Sequence, residues 1–138
     1  FQSVTTRTAG FNTVDFTKLG TPILIFFMLL MFIGAGPGST GGGIKVTTFA
    51  VLVKSAIATI KGEKQVVFFK RTVPFSTIDR AYSIALFSLS MIFFSVFLLS
   101  ITESGTDFIK LLFEEVSAFG TVGLSTGITA SLSSAGKL

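Results

Sequence analysis

Apolar residues run along the chain in three blocks, and the polar stretches between them are short and glycine-rich. The longest uncharged run is Ala81 to Ile101, AYSIALFSLSMIFFSVFLLSI, 21 residues flanked by Arg80 and Glu103. At about 1.5 Å per residue it reaches roughly 30 Å, the thickness of a bilayer core. It predicts a membrane-crossing helix. A second block is broken. Pro22 to Ile33, PILIFFMLLMFI, has 12 residues and is too short to cross alone. Thr21 is the expected N-cap, with Pro22 in the first turn. Gly34-Ala35-Gly36-Pro37-Gly38-Ser39-Thr40-Gly41-Gly42-Gly43 follows, and then the mostly apolar stretch Ile44 to Ile60 with Lys45 and Lys54. Glycine and proline at this density end a helix. The pattern predicts two half-helices joined by an irregular loop at membrane depth. Such a loop is tolerated only where protein buries it or where it lines a cavity. The third block, Thr106 to Ala118, has apolar positions at 108, 109, 111, 112, 113 and 116. It predicts an amphipathic helix capped by Thr106 or Asp107 and too short to cross.

Two polar segments match each other. Thr8-Ala9-Gly10-Phe11-Asn12-Thr13 and Thr121-Val122-Gly123-Leu124-Ser125-Thr126 share Thr, Gly and Thr at a constant offset of 113. The second follows directly on the short amphipathic helix, which is the pattern of a re-entrant pore loop. Glycine permits φ angles that turn carbonyls inward. Threonine offers a carbonyl and a hydroxyl. The preceding helix directs its negative C-terminal end at the cavity, favouring a cation. Thr121-Val122-Gly123 also matches the opening of a potassium-filter motif, with Leu124-Ser125 where Tyr-Gly would stand.

Composition agrees with a lipid environment. The chain is 49% hydrophobic, mean hydropathy is +0.79, there are 17 Phe, and only 13% of residues are charged. With no Cys and no His, thiolate sites and the commonest general base are absent, so the chain is not expected to be an enzyme. No cofactor is expected. Phe1 is not Met and SLSSAGKL ends where a new element would start, so the chain is expected to be a piece of a longer membrane protein.

Charge sets the orientation. Lys54, Lys61, Lys64, Lys70, Arg71 and Arg80 outweigh Glu63 and Asp79 across 54–80, which the positive-inside tendency places in the cytoplasm. The helix 81–101 then runs outward and the pair within 21–60 runs inward. Both TxGxxT segments fall on the outer side. The fold class is therefore an all-α membrane protein of helix–re-entrant pore loop–helix repeats with a broken inward helix. Residues 1–60 close one repeat, with a pore loop at 5–15 and the interrupting loop at 34–43. Residues 61–80 form a cytoplasmic connector. Residues 81–138 open the next repeat, with helix 106–118, loop 119–127 and the start of a further helix. The net charge of +4 flanks membrane segments, so it points to anionic lipid and not to nucleic acid.

TTRTAGFNTVDF (5–16), GAGPGSTGGGIKVTT (34–48), FFKRTVPFSTIDRAY (68–82) and SAFGTVGLSTGIT (117–129) together resemble the Ktr/Trk/HKT potassium transporter superfamily, and within it the bacterial Ktr membrane subunits. Their order is similar to the family's third and fourth pore repeats. The resemblance implies a pseudo-fourfold pore in a multi-pass protein of the cell membrane, with potassium as the transported ion. It implies filter glycines at Gly10 and Gly123. It implies potassium coordination by Thr8, Ala9 and Gly10 and by Thr121, Val122 and Gly123, with Phe11 and Leu124 completing the filter segments. It implies a gating loop of Gly34, Gly36, Gly38, Ser39, Thr40, Gly41, Gly42 and Gly43, with Lys45 just after it. It also implies a homodimer and a cytosolic nucleotide-binding regulatory ring, docked near 54–80. The family's first two repeats and last inward helix lie outside this sequence.

Other readings compete at single positions. Gly36 to Gly41 satisfies GxGxxG, with Glu63 further on, but a proline sits inside the motif and no strand alternation precedes it. Gly34 and Gly38 also fit GxxxG helix packing. Glu114 and Glu115 could attract cations, pair locally with Lys110, or brace the loop, and bracing is the favoured role. Arg7 beside the first loop is expected to be a structural brace, since a free cation there would repel potassium. Asp15 is either its partner or an acid at the outer mouth. The rival reading of the whole chain is a non-conducting assembly or sensor subunit whose glycines only pack helices. It predicts ordinary φ angles at Gly10 and Gly123.

Overall fold

Among the described residues, five helices carry most of the structure. This computed structural model describes residues 1–11, 13–16, 19–63, 65–68, 71–103, 105–129 and 132. Asn12, Lys64, Lys70 and most of the stretch where a further helix is expected after residue 127 lie outside the described residues. The elements in order are α1 (Gln2–Thr5), α2 (Thr21–Phe32), α3 (Val46–Ile60), β1 (Val67–Phe68), β2 (Arg71–Thr72), α4 (Phe75–Thr102) and α5 (Phe108–Phe119).

The apolar block 22–33 becomes α2 because nothing in it resists helix until the glycines arrive. Gly20, not Thr21, is its N-cap; Thr21 already has helical backbone and lends no side-chain cap. The helix stops at Phe32 and α3 resumes at Val46, after Lys45 as N-cap. The interruption is closed at its base. Ile44 N donates to Phe32 O at 2.9 Å and Gly34 N donates to Ile44 O at 2.8 Å, forming an isolated parallel bridge between Ile33 and Ile44. Loop 34–43 is thus a compact excursion whose two ends touch.

α4 is longer than its uncharged run. It begins at Phe75, directly after Pro74, and takes in Asp79 and Arg80 before reaching Ala81. Proline, which suits the edge of a helix, sets the boundary, and isolated charges near a helix end do not. Its 28 residues give about 42 Å, and the helix is long and apolar enough to cross a membrane. Buried or half-buried positions fall at 78, 81, 85, 88, 92, 95, 96 and 99, a spacing of three and four that marks one packing seam. The remaining faces, including Phe87, Phe93, Phe94 and Phe97, are exposed. The connector before α4 is not wholly irregular. A short antiparallel pair sets Val67 opposite Thr72 and Phe68 opposite Arg71, a departure from the expected all-α chain.

α5 packs against both α2 and α4, and α3 packs against α4. Asp107, one of the two expected caps, is the N-cap of α5 and accepts from Ile109 N at 3.4 Å. The core lies where α5 is sandwiched. Phe16, Leu24, Phe27, Met28, Met31, Ile92, Val96, Phe113 and Val116 cluster there, and Val122 and Leu124 join them from the loop after α5. Phe16 meets Phe27 edge-on at 5.3 Å and Phe113 at 5.7 Å. Offset and edge contacts of this kind add to plain burial. The small buried residues Ser55 and Ala58 on α3 and Ala81 on α4 suit close helix approach in lipid, and Tyr82 Oη donates to Ser55 Oγ at 3.3 Å.

Phe113 is fully buried between the loop residue Phe16 and the helices. Phe113→Ala is expected to cost about 3 kcal/mol. The check is a lower thermal unfolding midpoint of the detergent-solubilised protein, with Phe113→Leu losing less.

Candidate functional site

The two matched segments have the same unusual backbone. Thr8 (φ 65°) and Thr121 (φ 52°) are left-handed, and so are Gly10 (φ 66°) and Gly123 (φ 85°). Among the described residues no other non-glycine position has positive φ. A β-branched residue in this region is a genuine outlier and costs on the order of 1–3 kcal/mol. The chain carries that cost twice, at positions 113 apart. Ala9 and Val122, between the outliers, are not left-handed. Each segment therefore alternates in hand over three residues.

The fold brings the segments together. A Cβ built on Gly10 would fall on the Val122 carbonyl oxygen, so the first segment crosses the second backbone to backbone. Gly123, in contrast, has nothing within 4 Å of where a Cβ would stand and faces open space. Val122 and Leu124 bury their side chains in the core at 4% and 2% exposure, while Thr121 and Gly123 are exposed between them. The second segment thus has an anchored face and an open face. Phe11, matched to Leu124, differs: its side chain is 70% exposed and its carbonyl accepts from the buried Thr5 Oγ1 at 2.7 Å.

Loop 34–43 rests against both segments at the threonine of each. Gly42 N donates to Thr121 Oγ1 at 2.8 Å. A Cβ on Gly42 would lie 2.5 Å from Phe119 O, and one on Gly41 would lie 2.8 Å from Thr8 Cγ2. These two glycines let the loop seat against the ends of the two matched segments nearest their helices. Arg7 Nη1 donates to Gly34 O at 3.0 Å, so the cation beside the first segment is directed at the loop. Within the loop, Lys45 Nζ donates to Ser39 O at 2.9 Å and to Gly41 O at 2.5 Å. Its ammonium holds the carbonyls of the loop together. Ser39 Oγ accepts from Gly41 N at 3.1 Å. Gly36, Gly38 and Thr40 stand at the exposed tip, and neither glycine has a neighbour where a Cβ would stand. Gly34 is packed so closely on Gly42 that a Cβ would strike its carbonyl oxygen, and Gly43 (φ 75°) completes the return. The GxGxxG string at 36–41 lies between α2 and α3 and not after a strand, which removes the dinucleotide reading.

Glu114 closes the second segment from behind. Its Oε1 accepts from Ser125 Oγ at 2.8 Å, Thr126 N at 2.7 Å and Thr126 Oγ1 at 2.9 Å, and its Oε2 accepts from Thr129 Oγ1 at 2.8 Å. A carboxylate so surrounded by donors acts as a brace. The contacts made by Ser125, Thr126 and Thr129 were not foreseeable in detail from spacing, although polar residues downstream of an acidic helix face were the available signal.

The two glycines respond differently to a methyl group. Gly10→Ala forces the segments apart, while Gly123→Ala adds only backbone strain of about 1 kcal/mol. A larger drop in thermal midpoint for Gly10→Ala than for Gly123→Ala is the expected result.

The family described as TrkH, cation transport protein, matches residues 1–138. The chain is 47% identical over 137 residues to Ktr system potassium uptake protein B of Bacillus subtilis (strain 168), covering 99% of this chain and 31% of that protein. It is 48% identical over 137 residues to the protein of the same name from Vibrio alginolyticus, covering 99% and 30%. Potassium/sodium uptake protein NtpJ of Enterococcus hirae is 41% identical over 143 residues, covering 100% of this chain and 31% of that protein. The chain spans about a third of the length of these relatives. With the whole chain matched by the family and with relatives above 40% identity along it, this chain belongs to the TrkH family of cation transport proteins.

Proposed function

We propose that the chain forms parts of two of the quarters of a potassium-conducting membrane pore, with Thr8-Ala9-Gly10 and Thr121-Val122-Gly123 as filter segments. The observation that carries this reading is the paired left-handed backbone at Thr8/Gly10 and Thr121/Gly123, with the two segments in contact. Alternating hand turns successive peptide planes the same way, so carbonyls can line one side of a segment. The buried Val122 and Leu124 hold the opposite side. Carbonyls arranged so can replace the hydration shell of a potassium ion. The end of α5 at Phe119 adds the negative pole of a helix just before Thr121. Phe11 and Leu124 complete the segments without being the main ligands.

Loop 34–43 is the gate in this reading. It touches Thr8 and Thr121, the inner ends of the filter if α5 enters from outside. A plug there obstructs conduction without altering the ligands. The relatives are named as potassium or potassium/sodium uptake proteins, which favours a monovalent cation as cargo. The surrounding assembly is a multi-pass cell-membrane protein, a homodimer with a cytosolic nucleotide-binding ring near 54–80; these partners follow from the family resemblance. The non-conducting alternative needs ordinary φ angles at both glycines, and positive φ at Gly10 and Gly123 favours conduction.

Gly123→Ser in the full-length protein, reconstituted in liposomes, lowers the ratio of potassium to sodium uptake. Serine meets no neighbour there, so the folded protein survives and the loss is one of selectivity. An unchanged ratio contradicts the filter. Removal of residues 36–42 raises potassium flux by taking away the obstruction; reduced flux from a folded deletion would make the loop a scaffold.

A further inference from the structure

The side chains behind the two segments follow one plan. In the second, Glu114 on α5 clasps Ser125, Thr126 and Thr129. In the first, Gln2 on α1 donates through Nε2 to Thr13 Oγ1 at 2.6 Å. Thr13 and Thr126 occupy matched places under the offset of 113. In both repeats a long polar side chain on the entering helix holds the threonine that follows the filter glycine. The two clasps differ in charge and in number of bonds. The amide gives one bond to its threonine; the carboxylate takes three donors on one oxygen and a fourth on the other.

The limb that Glu114 holds lacks stiffness of its own. It runs from Gly123 (φ 85°) to Gly127 (φ 87°), and no Cβ restrains either end. Leu124 anchors one side in the core, and Thr126, at 3% exposure, is buried beside the carboxylate. A half-buried acid in an apolar setting is costly unless donors surround it, and here four do. Those bonds are charge-assisted, shorter and stronger than neutral ones.

We propose that Glu114 is a positioning residue for ion selectivity, fixing the 123–129 limb so that the Thr121–Gly123 carbonyls keep the spacing that favours potassium over sodium. The inference rests on the pore reading above. Gln2 falls at the place matched to Glu115, one residue on from Glu114, so it shows only that an uncharged amide on the entering helix can hold the matched threonine. Glu114→Gln keeps Oε1 as the acceptor for Ser125 and Thr126, and the Thr129 hydroxyl can turn from donor to acceptor. The variant therefore separates bracing from charge.

The test is uptake of rubidium and sodium by liposomes holding the full-length protein, as wild type, Glu114→Ala, Glu114→Gln and Thr126→Val, with thermal midpoints measured in parallel. Glu114→Ala is expected to lower the rubidium-to-sodium ratio by about tenfold or more. Glu114→Gln is expected to keep most of the wild-type ratio, and Thr126→Val to shift it in the same direction as Glu114→Ala by less. A merely structural role would lower the midpoint and leave the ratio alone. An unchanged ratio in folded Glu114→Ala overturns the proposal. Equal loss in Glu114→Gln also overturns it, in favour of a direct effect of charge. Where Glu114→Ala does not fold, an unchanged ratio in Thr126→Val overturns it. Selective uptake by wild type with no effect of the variants leaves the pore standing; absence of selective uptake by wild type removes the pore reading and this role with it.

Discussion

Gly10 lies so close to the Val122 carbonyl that no side chain fits between them, and Gly41 and Gly42 approach Thr8 and Phe119 as tightly. Three stretches of backbone from distant parts of the chain thus meet with almost nothing interposed. This close approach decides the rest of the local architecture. It sets both left-handed threonines against the loop that joins α2 to α3. Backbone brought together in this way presents amides and carbonyls as its working surface, and those groups must find partners in an apolar setting. The loop amide of Gly42 finds one in Thr121, and the carbonyls of Ser39 and Gly41 find one in Lys45.

Side chains hold this arrangement from behind. Phe16, Phe27 and Phe113 interlock, and Phe32 stacks on Phe119 at 6.2 Å where α2 and α5 end. Val122 and Leu124 tie the second segment into the same cluster. Polar braces complete the support: Arg7 to Gly34, Thr5 to Phe11, and Glu114 to the limb after Gly123. Arg7 and Glu114 are therefore occupied by protein partners, and the open face at Gly123 carries no side chain at all. A cation approaching that face meets backbone dipoles without a competing fixed ammonium or guanidinium on the segments themselves.

Much of this was readable in the residues, for identifiable reasons. The 21-residue uncharged run marked α4 because length in lipid is set by bilayer thickness. Glycine and proline together marked the break between α2 and α3, because glycine loses the most backbone entropy in a helix and proline removes a donor. The recurrence of Thr, Gly and Thr marked both segments. Helix ends were less legible. α4 starts at Phe75 because Pro74 outweighs two nearby charges, and Gly20 displaces Thr21 as cap because an extended glycine suits that turn. The Val67–Thr72 pairing is too short to leave a periodic signal. Contacts that join distant positions, such as Gly42 with Thr121 and Gly10 with Val122, depend on the packing of α5 between α2 and α4, and a linear pattern does not record it.

The central claim is that carbonyls of the paired segments hold the ion. The most direct measurement is anomalous scattering from crystals of the full-length protein grown in rubidium or thallium. The account predicts a peak on the open side of Gly123, shared between Thr8–Gly10 and Thr121–Gly123, that weakens when sodium replaces the heavier ion. Peaks found elsewhere, with none beside these carbonyls, would contradict it.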